Sequence, residues 1–257
     1  MIVYKSAWFC STVLIILAGC ASAPVKDQQA QGNPADIYIQ LGVAHMQEGN
    51  YETAVAKLQK ALAIDPKYPS AHSVLGLAYS QLGDKAQAEQ HFKEALALAP
   101  NDSGILNNYG QFLCQLGRPQ EAEQMFTKAV QNPLYAAPEN VHTNAGLCAA
   151  RNKDFARAEE HLQEALRINR RLPIALLELA KLSYQLKRYL PARDYLERYT
   201  EVAPHTPQSL QLGIQIEREL GNDNAVETYS QILKSKFPRS NESRQFMEGE
   251  ENGQFAY

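Results

Sequence analysis

Apolar and polar positions divide the chain into four stretches. A charged start at Lys5 precedes a largely apolar run from Ala7 to Ala18. Twelve residues at about 1.5 Å each reach only ~18 Å, short of a hydrocarbon core of roughly 30 Å. The run therefore predicts a signal segment over residues 1–19, not a spanning helix. Residues 20–34 follow, with Gln28, Gln29, Gln31, Pro24 and Gly32 and hardly any apolar bulk, and predict a flexible tether. From residue 35 to 239 a single pattern recurs. A small residue stands at Gly42, Gly76, Gly110, Gly146, Ala180 and Gly213, at spacings of 34, 34, 36, 34 and 33. An alanine follows each twelve residues later, at Ala54, Ala88, Ala122, Ala158, Ala192 and Ala225. Two series in step mark one unit repeated six times. Residues 240–257, with Glu248, Glu250 and Glu251, predict a disordered acidic tail.

The unit resembles the tetratricopeptide repeat, a helix-turn-helix of 34 residues. The resemblance implies an all-α fold, a right-handed solenoid of about six such repeats. Its second copy carries the pattern most fully: Leu75, Gly76 and Tyr79, then Gly83 at the turn, then Ala88, Phe92, Ala95 and Pro100. Two helices approach closely only where side chains are small, so Gly76 and Ala88 are expected at the crossing. Pro66, Pro100, Pro204 and Pro238 are placed to end second helices. The two extra residues between the third and fourth repeats fall in a stretch with Pro133 and Pro138. They predict a longer connection and a kink within one continuous solenoid, a domain boundary being the alternative.

Composition narrows the chemistry. Apolar residues make up 45% and charged residues 21%, an ordinary globular balance. With 25 basic and 28 acidic side chains there is no general basic field, which disfavours nucleic acid as a partner. Phosphate-loop, zinc-protease and hydrolase nucleophile motifs are absent from the sequence. Neither a catalytic constellation, a cofactor, a metal site nor a small-molecule substrate is expected. His72 and His142 share the fourth repeat position, and His91 and His161 the twenty-third, which predicts packing or surface roles.

Leu17-Ala18-Gly19-Cys20 resembles the bacterial lipobox. That resemblance implies that Cys20 is acylated and becomes the mature N-terminus, anchoring the protein to a membrane. Ala21 and Ser22 stand where an aspartate would retain a lipoprotein at the inner membrane, so the implied destination is the outer membrane, facing the periplasm. With Cys10 removed and Cys20 acylated, Cys114 and Cys148 are the two thiols left in an oxidising compartment. They form a disulfide or serve as two small apolar core residues, and their repeat positions, twelve and ten, do not choose between these.

In the tetratricopeptide family the concave face is lined by the second, fifth, ninth, twelfth and thirteenth positions of each unit. Carried onto this chain, repeats one and two supply Ile39, Val43, Met46, Ser73 and Leu77. Repeat three supplies Asn107 and Gln111 beside Cys114 and Gln115, and repeat four supplies Asn140, Thr143, Leu147 and Arg151. Repeat five adds Leu177, Lys181, Tyr184 and Gln185. The lysine and asparagine clamp of chaperone-binding members is missing from every repeat. A groove apolar at one end and flanked by amides suits a segment of another protein, with capping by the tether or tail as the alternative.

A narrower resemblance rests on Leu106-Asn107-Asn108-Tyr109-Gly110-Gln111-Phe112-Leu113-Cys114, continuing through Gly117-Arg118, Glu121-Ala122, Phe126, Ala129, Pro133 and Tyr135. With the lipobox and the insertion after the third repeat, the chain is similar to the type IV pilus biogenesis and stability lipoproteins of the PilF/PilW family. This implies a non-enzymatic pilotin that binds the pilus secretin subunit and promotes its localisation and multimerisation in the outer membrane. A scaffold for peptidoglycan synthesis or envelope assembly is the alternative.

Overall fold

The computed structural model describes residues 33–251. The signal segment, Cys20 and nearly all of the tether lie outside that range. Among the described residues there are thirteen α-helices and no strand. Twelve form six antiparallel pairs: α1 (Ala35–Gln47) with α2 (Tyr51–Ile64), α3 (Pro69–Gln81) with α4 (Lys85–Leu98), and α5 (Ser103–Gln115) with α6 (Pro119–Val130). The series continues with α7 (Pro138–Arg151) and α8 (Phe155–Ile168), α9 (Pro173–Gln185) and α10 (Tyr189–Thr200), then α11 (Pro207–Glu219) and α12 (Asp223–Lys236). Each first helix packs on its own partner and on the first helix of the next pair, which builds the tetratricopeptide solenoid.

Local chemistry starts these helices. Asp84, Asp102 and Asp154 each accept a hydrogen bond from a backbone N–H in the first turn of the helix that follows. Proline occupies the start of α3, α6, α7, α9 and α11, where its missing N–H costs nothing.

The small residues sit at the crossings. A Cβ added at Gly76 would come within 2.9 Å of the Phe92 ring, and one at Gly110 within 2.7 Å of Phe126. Ala88 and Ala122 are fully buried beside them. The insertion does not interrupt the core. Ala88, Phe92, Phe112 and Phe126 pack in one cluster with Val141, Ala145 and Cys148 from beyond it, and Tyr135 of the connection packs against the same cluster. One solenoid therefore runs through both halves.

The tail departs from expectation. Asn241–Glu251 is a helix, α13, packed on α11 and α12. Ser240 accepts a hydrogen bond from the Ser243 N–H at 3.0 Å, starting the helix. Phe246, 6% exposed, joins Leu210, Ile214, Val226 and Leu233. Gln208 and Gln211 donate to Glu242 and Gln245, each pair separated by 34 residues. α13 is thus a seventh first helix, in register, and no second helix pairs with it among the described residues. It covers the apolar end that the last repeat of any solenoid leaves open. Acidic composition hid the one aromatic that makes this possible. Residues 252–257 of the expected tail lie outside the described range.

Candidate functional site: a groove along the first helices

The first helices of repeats three to five bring part of the expected lining together. Gln111 of α5 and Leu147 and Arg151 of α7 enclose a small cavity of about 80 Å³ with Gln115, Asn144 and the two cysteines. Leu147 and Arg151 also line the adjoining cavity of about 350 Å³, whose other wall is Glu178, Lys181, Leu182 and Gln185 of α9. Leu147 and Arg151 are therefore the shared hinge of the two hollows. Lys181 donates to Glu178 at 2.7 Å, which turns its charge along the helix. Arg151 is exposed and has no acidic partner among the described residues. Apolar floor, one cation held by a carboxylate and one free suit an extended peptide with an apolar anchor.

Three expected lining residues are not accessible. Ser73 is 2% exposed, and Asn107 and Thr143 are each 7% exposed. Asn144 Nδ2 donates to Asn107 Oδ1 at 2.9 Å, and Asn108 Nδ2 donates to Ser73 Oγ at 3.1 Å. Both bonds join the fifth position of one repeat to the sixth of the next. Thr143 Oγ1 donates to the Glu139 carbonyl one turn back. The fifth position faces the neighbouring first helix, so Ser73 and Asn107 bond across to the next repeat and all three side chains are withdrawn from the surface. The sixth-position residues Asn144 and Glu178, which do line the hollows, were outside the expected set. The adjacent amides Asn107 and Asn108, with Asn144 in the next repeat, are the sequence signal that points to such a ladder.

At the apolar end Val43 is exposed, whereas Ile39, Met46 and Leu77 are half-buried against core clusters. Tyr184 is half-buried against the α9–α10 core and beside Tyr189, outside both hollows. Burial pushes its hydroxyl pKa above the usual tyrosine range, aided by the nearby Glu219 carboxylate.

The cysteine question is resolved within the groove floor. Cys114 and Cys148 are bonded, with Cα atoms 5.8 Å apart. The bridge staples α5 to α7 across the two-residue insertion, the widest connection between repeats. Both sulfur-bearing residues are buried and both line the smaller hollow.

Tetratricopeptide-repeat models match residues 35–83, 69–102, 91–124, 115–173 and 149–212. The type IV pilus assembly protein PilF of Pseudomonas aeruginosa is 34% identical over 234 residues, covering 90% of this chain and 93% of PilF. The crystal structure of PilW, a widely conserved type IV pilus biogenesis factor, superposes with a TM-score of 0.77 at 32% identity, covering 84% of this chain and 99% of PilW. A structure of Pseudomonas aeruginosa PilF gives 0.72 at 35% identity, covering 83% and 96%. The chain belongs to the PilF/PilW family of tetratricopeptide-repeat proteins, whose named members are type IV pilus assembly and biogenesis factors.

Proposed function

We propose that this protein is a non-catalytic outer-membrane lipoprotein of type IV pilus biogenesis. It binds the pilus secretin subunit in its groove and promotes that subunit's localisation and multimerisation. The observation that carries this reading is the family relationship, which spans the whole solenoid and not a single repeat. The mixed lining of the two hollows, Leu147 and Leu182 beside Arg151 and Lys181, supports a protein segment as the ligand. The Leu17–Cys20 motif supports acylation at Cys20.

The mechanism is tethering. Acylation at Cys20 keeps a bound segment close to the bilayer and raises its local concentration there. Ring assembly in the membrane is then favoured without any chemical step.

A Cys20→Ala variant tests the anchor separately from the groove. It is expected to bind secretin in solution but to leave the subunit out of the outer membrane, read by membrane fractionation. Normal outer-membrane secretin multimers in cells carrying that variant would overturn the tethering mechanism.

A further inference from the structure

A further hollow, of about 520 Å³, shares no lining residue with the groove. It is formed by the second helices α8 and α10 and the turn between α8 and α9. Arg167, Arg170, Arg171 and Arg198 converge on it, against a single lining carboxylate, Glu201. This is the reverse of the chain as a whole, which carries a net charge of −3.

Helix dipoles explain half of the cluster. Arg167 and Arg198 stand in the last turns of α8 and α10, where cations offset the exposed carbonyls. Arg170 and Arg171 come after the Asn169 cap and are exposed. Among the described residues neither guanidinium has an acidic partner.

The other two arginines are held in place. Arg167 donates to both oxygens of Glu164, at 2.7 and 2.6 Å, and Arg198 lies 5.5 Å over the Tyr195 ring. Two guanidinium groups with side-chain neighbours and two solvent-facing ones with no acidic partner among the described residues therefore rim a cavity whose wall includes Leu166, Val202 and Tyr195.

We infer that this hollow is a second docking site, for an acidic segment of a partner protein. Guanidinium forks match carboxylates in paired hydrogen bonds, and the aromatic and aliphatic wall covers the stem of a glutamate or aspartate side chain. The cavity volume falls in the range of ligand pockets, roughly 300–1,000 Å³. A bilayer surface reaches protruding residues but does not fill a recess between two helices. A peptide side chain does. The site lies on second helices, so it can be occupied while the groove on the first helices holds its own ligand.

The test uses the full-length protein and a fluorescein-labelled hexaglutamate peptide, read by fluorescence anisotropy. The peptide is expected to bind, and to bind more weakly as salt rises. Combining Arg170→Glu with Arg171→Glu is expected to lower affinity about tenfold or more. Combining Lys60→Glu with Lys85→Glu, the same charge change on exposed sites of the first two repeats, is expected to change it less than about twofold. Circular dichroism checks that both double variants fold. The inference is overturned if the peptide does not bind or if both double variants lose affinity alike. It is equally overturned if phosphatidylglycerol vesicles bind through Arg170 and Arg171 while the peptide does not.

Discussion

Asn144 donates its side-chain amide to Asn107 across the boundary between the third and fourth repeats, at 2.9 Å. Asn107 is nearly inaccessible, so its replacement by alanine strands a half-buried donor and does not remove a ligand contact. Asn107→Ala is expected to destabilise the protein by about 1–3 kcal/mol. The double variant with Asn144→Ala should cost less than the sum of the two single changes, because each loses the same bond. Thermal or urea unfolding of the four proteins measures this coupling. Additive losses would show that the pair does not couple the repeats.

The Cys114–Cys148 bridge closes a sequence separation of 34 residues and joins the repeats flanking the insertion. Replacing both cysteines by serine is expected to cost about 2–4 kcal/mol. The same loss should follow when the unmodified protein is unfolded in a strong reductant. An unfolding midpoint that ignores both treatments would contradict a structural role for the bridge.

Turns between first and second helices require a left-handed residue. Gly49, Gly83, Gly117 and Gly221 fill it with φ between 69° and 81°, but Lys153 (φ 62°) and Lys187 (φ 57°) fill it in repeats four and five. A side chain in this region costs roughly 1–2 kcal/mol, part of which glycine gives back through the greater freedom of the unfolded chain. Lys187→Gly is expected to raise stability by about 0.5–1 kcal/mol, with a melting temperature higher by about 2–4 °C. Gly117→Lys should move stability in the opposite direction.

Two histidine pairs give the solenoid a pH dependence. His72 and His91 meet through their Nδ1 atoms at 3.0 Å, and His142 and His161 at 3.3 Å. Burial, reinforced by the partner imidazole, holds His91 and His142 below the ordinary histidine value of 6.5. Glu94 opposes this shift at His91, as do Glu164 and Glu123 at His142, while Arg167 adds to it there. The unfolded chain takes up protons at these sites that the folded chain refuses. Stability is therefore full above about pH 6.5 and falls as the pH drops from there through the lower folded-state values. The melting temperature should decrease between pH 7.5 and 5.5, and replacing His91 and His142 by glutamine should flatten that slope. An unchanged slope in the double variant would contradict the assignment.

The repeat architecture was legible because packing leaves little choice at a helix crossing. Gly76 lies against Phe92 and Gly110 against Phe126, so the series of small residues displays the pitch directly. α13 was not legible by the same signal: Met247 stands 34 residues after Gly213, and among the described residues no second helix crosses α13, so nothing there needs to be small. Groove positions carried over from the family located Leu147, Arg151 and Lys181. Ser73, Asn107 and Thr143 are buried instead, because positions within one unit do not show what the neighbouring unit covers. The disulfide was undecided for the same reason. Positions twelve and ten of successive repeats become neighbours only when α5 and α7 pack side by side.

Leu147 and Lys181 are the residues on which recognition in the groove rests. Both face the larger hollow, and neither is fully buried. The decisive measurement is the affinity of the full-length protein for purified secretin subunit, compared with a Leu147→Asp, Lys181→Glu double variant that retains its helical signal and melting behaviour. Groove recognition predicts affinity lower by about tenfold or more in the variant, as expected when an apolar anchor site and its neighbouring cation are both lost. Equal affinity for the two proteins would contradict it.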